Sequence, residues 1–175
     1  MVMAMCGRIV ARLGLALAAV GLLLLLADPV SANDQFLMVD RTDDSEDSQC
    51  LDGVPYDCSL RGAINRANAS SYIHIGFLTS EVLLSTPLPP LSGLGTMVSG
   101  GCGAEVALDA LAQSDGAVLV VDADDVTIAY LMIINGPTSG GSADILIKSG
   151  RGIDIHGNYL GLTKKRVPCR QPCGR

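Results

Sequence analysis

A 27-residue repeat constrains this chain more than any other feature. Between AVLVVDADDVTIAYLMIING and ADILIKSGRGIDIHGNYLGL, Val118 and Val120 fall on Ile145 and Ile147, and Val126 and Ile128 on Ile153 and Ile155. Leu131 and Ile133 fall on Asn158 and Leu160, all at one offset of 27 residues. One such repeat makes one turn of a coil. A lone coil cannot bury its inward residues, whereas stacking like on like builds a continuous apolar column and pairs each strand with its neighbours. A weaker copy precedes these two, with TMVSG (96–100) in the place of VTIAY and Val106 and Leu108 on a strand between.

The text around the repeat agrees. From Tyr72 to Leu162, short β-branched runs alternate with turns rich in Gly, Ser, Asp and Pro: YIHIGF, EVLL, TMVSG, EVALD, AVLVV, VTIAYLMI, DILI and IDIHGNYLGL. No helix intervenes, which predicts an all-β fold. Within a coil the alternation holds through Val126 and Ile128 and then slips by one, so that Leu131 and Ile133 point inward and a corner sits at the slip. Gly157 suits that corner in the last coil. Its counterpart one coil earlier is Tyr130, which is expected to project outward.

The N-terminus reads differently. Arg8 and Arg12 precede an uncharged apolar run from Leu13 to Ala27, followed by Pro29, Val30, Ser31 and Ala32. That is the pattern of a secretory signal peptide, cleaved between Ala32 and Asn33. The run of about 15 residues falls short of the roughly 20 that a membrane anchor needs. Removing residues 1–32 leaves 143 of 175 residues, enough for one domain with a modest core. It also takes away two arginines and one aspartate, moving the formal charge from −6 to −7. That balance argues against nucleic acid or an anionic membrane as partner.

Residues 33–71 form an acidic loop followed by a short helix. FLMV (36–39) reads as an opening strand, and Asp40, Asp43, Asp44, Glu46, Asp47, Asp52 and Asp57 surround a single Arg41. Then Leu60, Ala63, Ile64 and Ala67 recur at helical spacing, with Asp57 and Ser59 available as caps. Five cysteines follow the leader: Cys50, Cys58, Cys102, Cys169 and Cys173. In an oxidising compartment Cys50 and Cys58 are expected to pair, and the odd count leaves at least one free or intermolecular thiol. The pairing of the other three stays open, and their spacings lack the histidines of a zinc finger.

At FLMVDRTDDSEDSQCLDGVPYDCSLRGAINRANA the chain resembles the CSLREA-type secreted β-helix proteins, with Gly62 where that family carries Glu. LPPLSG (88–93), VTIAYLMIING and IDIHGNYLGL resemble their downstream coils, so the likeness spans residues 35–162. It implies a right-handed single-stranded parallel β-helix over residues 72–162, capped by the helix, in an exported or cell-surface protein without established catalytic residues. The segment 163–175, TKKRVPCRQPCGR, departs from the family, being basic and free of acids. The solenoid is therefore expected to be cut short, with its last coil a bare edge prone to self-association. A disulfide-closed tail, Cys169 with Cys173 or either with Cys102, is the alternative.

Chemistry is sparse. Asp43, Asp44, Glu46 and Asp47 offer oxygens to calcium but lack the spacing and turn glycine of an EF-hand loop, and such runs are usually solvated. The turn at Asp122, Asp124 and Asp125 is of interest because β-helix lyases and hydrolases carry acids and a base on adjacent coils. The offset puts Asp124 near Arg151 and Val121 near Lys148, about 4.8 Å away. An exposed cross-coil ion pair is the favoured reading over a calcium site there. His74 and His156 alternate with inward isoleucines and lie on first and last coils, too far apart to share a proton or metal. Asn158 is expected inward, bonded to a bend. The sequon Asn68-Ala69-Ser70 ends the helix and reads as incidental, and SGGCG and SGGS lack the following helix of a nucleotide loop.

These observations point to a noncatalytic secreted or cell-surface module, structural or adhesive, without cofactor, whose partners are carbohydrate or other surface proteins. A polysaccharide lyase or hydrolase on the same fold is the alternative, and a degenerate fragment the third reading.

Overall fold

The computed structural model describes residues 35–46, 49–51, 53–101, 106–113 and 115–162. The signal peptide, its cleavage pair Ala32 and Asn33, Asp47, Cys102, and the tail with Cys169 and Cys173 lie outside the described residues. Among those that remain, every paired strand is parallel to its neighbour. The chain winds through three sheets in turn, making an all-β solenoid of about three turns with one short helix.

The first sheet stacks β1 (Gln35–Val39), β2 (Ile73–Phe77), β4 (Met97–Ser99), β7 (Thr127–Ala129) and β10 (Asp154–His156). The second stacks β3 (Glu81–Leu83), β5 (Val106–Asp109), β8 (Leu131–Ile134) and β11 (Tyr159–Leu162). The third pairs β6 (Ala117–Asp122) with β9 (Ala143–Ser149), and Leu91 of the LPPLSG segment extends it by bridging to Val121.

Register shows how the core is made. In the first sheet Leu37, Ile75, Val98, Ile128 and Ile155 lie in one inward column, and all but Ile155 are at most 3% exposed. Val82, Leu108 and Ile133 form the second column, and Leu91, Val121 and Ile147 the third. Here the repeat is corrected. Leu119, not Val118, lies on Ile145, and Val121, not Val120, lies on Ile147, because the third sheet runs at an offset of 26 until a bulge at Asp122 restores 27. A one-residue slip exchanges the faces of a strand. Leu119 and Val121 are accordingly fully buried, and Val120 is half-buried.

The corners also explain the Tyr130 mismatch. Tyr130 (φ 55°) and Gly157 (φ 65°) share the left-handed conformation, so the bend is the same although the residue is not. A Cβ on Gly157 would lie 2.7 Å from the Tyr130 ring, so the tyrosine covers the glycine of the next coil. The opposite corner repeats this: Tyr72, Gly95, Asp125 and Gly152 are all left-handed, and the Tyr72 ring fills the space a Cβ on Gly95 would need. Asn158 spans the Tyr130 bend as expected. Its Oδ1 accepts from Leu131 N at 2.9 Å and its Nδ2 donates to Ile128 O at 2.8 Å.

The helix α1 (Leu60–Asn68) covers the N-terminal end of the columns, packing against β1 and β2. Leu60, Ala63, Ile64 and Ala67 are completely buried, as their spacing requires. Of the two candidate caps Ser59 serves, its Oγ accepting from Gly62 N at 3.0 Å. Asn68 donates to Pro90 O and accepts from Ser92 N and Gly93 N, so the sequon asparagine is engaged in tying the helix to the third face.

Position along a column sets the cost of truncation. Ile128→Ala, with coils on both sides, is expected to lose about 2–5 kcal/mol. Ile155→Ala, already 37% exposed, should lose less than about half as much. Urea denaturation of the two variants measures the difference.

Candidate functional site

The residues singled out in the sequence fall into three places. At the capped end, the acidic loop is knitted into the fold by arginines. Arg61 grips Asp44 with both ends of its fork, Nε to Oδ1 at 2.8 Å and Nη2 to Oδ2 at 2.7 Å. The two side chains are only 7% and 1% exposed. Arg61 also donates to Pro87 O (3.0 Å) and Thr86 O (3.1 Å), so one guanidinium joins the loop, the helix and the segment after β3. Arg41 forks Asp43 in the same way at the surface. Two of the four acids considered for calcium are thus held by arginines, and the described residues contain no cluster of three or more metal-ligating side chains.

Next to this knot lies a cleft of about 480 Å³. β1 supplies Phe36 and Met38, the loop supplies Leu51, Val54 and Pro55, and Leu78 closes one side. The disulfide between Cys50 and Cys58 forms part of the lining, as do Asp40 and Asp57. Both carboxylates accept from backbone amides. Asp40 takes Tyr56 N (2.5 Å) and Cys58 N (2.9 Å), and Asp57 takes Leu51 N (3.1 Å). They fix the loop that shapes the cleft. Phe36 (58% exposed) and Leu78 (72%) leave its rim apolar, and Phe36 stacks on His74 with ring centroids 4.5 Å apart. Such a surface suits an aliphatic side chain or the apolar face of a neutral ligand.

The sequence reading missed this cleft. Its signal was present in FLMV, where the residues alternating with the buried Leu37 and Val39 are Phe36 and Met38, not polar groups. Gly76 makes room for the second of these, since a Cβ there would lie 2.9 Å from the Met38 sulfur.

The third place is the turn at Asp122, Asp124 and Asp125. Here the expected partners are corrected in detail. Lys148 bonds Asp122 at 2.7 Å, with Ser149 Oγ at 2.6 Å, because the bulge brings Asp122 rather than Val121 beside it. Asp124 accepts from the backbone N of Arg151 at 2.7 Å, not from its guanidinium. Each acid therefore clasps the following coil. His156 lies beside Asp154 at 3.1 Å and edge-on to Tyr130. His74 lies three strands away in the same sheet, so the two histidines are separate.

Hydrogen bonds from Lys148 and then Ser149 hold the Asp122 carboxyl below the usual carboxylate range, and the Arg41 fork does the same for Asp43. A depressed carboxylate favours the fold above the unfolded pKa of about 3.9, and that contribution is lost as pH falls through the lower folded value.

Comparison of the chain with protein-family models, with curated proteins and with solved structures finds no match.

Two measurements follow from this geometry. Arg61→Met or Asp44→Asn, each leaving a buried charge unpaired, is expected to cost about 3–5 kcal/mol, whereas Arg41→Met should cost less than about 1 kcal/mol, both read by chemical denaturation. In an NMR titration, Lys148→Met should return the Asp122 carboxyl upward toward its ordinary pKa, and an unmoved midpoint would refute the assigned cause.

Proposed function

We propose that the chain is an exported, noncatalytic β-helix module, structural or adhesive, that meets its partners through apolar surface. The observation that carries this reading is the engagement of the acids: Asp40, Asp44, Asp57, Asp122 and Asp124 each hold a neighbouring loop or coil through named bonds. The chemistry left presented at the capped end is the apolar cleft rimmed by Phe36 and Leu78. Neutral carbohydrate or another surface protein is the partner class that fits it. Export is supported by the leader pattern at residues 1–32 and by the disulfide, which needs an oxidising compartment. The order of strand, acidic loop and CSLRGAINRAN helix supports kinship with the CSLREA-type proteins.

The full chain expressed in a bacterial host should be recovered outside the cytoplasm with Asn33 as its first residue, read by N-terminal sequencing. Recovery in the cytoplasm with residues 1–32 intact would overturn the export reading. Release of unsaturated uronate or reducing ends from acidic polysaccharide would overturn the noncatalytic one and establish a lyase or hydrolase.

A further inference from the structure

The two ends of the solenoid differ. At the N-terminal end α1 covers the columns, and its inward residues are completely buried. At the other end each column finishes on an exposed apolar residue: Ile155 in the first sheet (37%), Leu160 in the second (45%) and Ile147 in the third (51%). Their strands β10, β11 and β9 are the last in their sheets, so among the described residues all three leave one edge unpaired at the same end. A flat apolar triangle bordered by free strand edges is the complement of one thing above all, another β-coil end.

The following segment does not supply that coil. TKKRVPCRQPCGR holds a single β-branched apolar residue, Val167, among five basic ones, and Pro168 and Pro172 cannot donate to a ladder. A second copy of the chain offers its open end and not its helix-covered one, which excludes head-to-tail stacking into a fibre. We infer that the end formed by β9, β10 and β11 is a self-association surface on which two copies dock tail to tail about a two-fold axis. With the axis through the first sheet, β10 pairs antiparallel with its own copy, and β9 meets β11 of the second copy. The assembly closes at two and presents the two capped ends, each with its cleft, at opposite poles. This inference rests on the fold and is independent of export and of the absence of catalysis.

Sedimentation equilibrium of the full chain, expressed with its N-terminal segment so that host processing acts on it, tests the pairing. A two-copy species at micromolar concentration is expected. Ile155→Lys and Leu160→Lys should each weaken it by at least about 30-fold with unchanged far-UV circular dichroism. If a lysine variant fails to fold, hydrogen exchange on the unsubstituted chain decides, since the amides of β10 and β11 should exchange more slowly as concentration rises. A monomer at about 100 µM, an open ladder of higher oligomers, a dimer indifferent to both lysines, or concentration-independent exchange would each overturn the proposal. Pairing gained only after removal of residues 163–175 would assign the surface to the chain's own tail instead.

Discussion

In this molecule an inward side chain is buried by the coil before it and the coil after it, and by little else. Ile75, Val98 and Ile128 follow one another in register, each completely or almost completely enclosed. Remove either neighbour and the same residue type stands in solvent, as Ile155 does. A fold organised this way has no centre, only a sequence of contacts along one axis. Its terminal coils therefore need devices that a globular core does not, and the two ends have received different ones.

At the N-terminal end the device is layered. The helix covers the columns, the buried Arg61 fork draws the acidic loop and the Thr86–Pro87 segment onto it, and the disulfide closes the loop that borders the cleft. A buried ion pair of this kind adds little net stability over an apolar replacement, but it admits few alternative geometries. Its contribution is to fix which loop sits where. The exposed pairs, Arg41 with Asp43 and Lys148 with Asp122, act locally, each within one turn or across one coil step.

The columns were legible in the sequence wherever coil lengths happened to match. Ile128 and Ile155 are 27 residues apart, and that repeat could be read directly. Ile75 to Val98 spans 23 residues and Val98 to Ile128 spans 30, because the turns between strands differ in length while the strands do not, so the earlier coils carry no fixed period. The helix was legible because Leu60, Ala63, Ile64 and Ala67 follow one geometry. The Arg61 to Asp44 pair was not, since nothing local distinguishes Asp44 from the acids around it. The slip in the third sheet was hidden for a similar reason: AVLVV is apolar on both faces, and either register satisfies it.

The corners carry a consequence for how such a chain can change. Tyr72 fills the space above Gly95, Tyr130 the space above Gly157, and Asp125 the space above Gly152. Side chain and vacancy alternate from one coil to the next at a bend whose backbone is left-handed throughout. The two members of each pair are thus one unit of inheritance. Enlarging the glycine demands that the residue one coil earlier shrink at the same time, so sequence drift at these bends is confined to coordinated exchanges between positions nearly thirty residues apart.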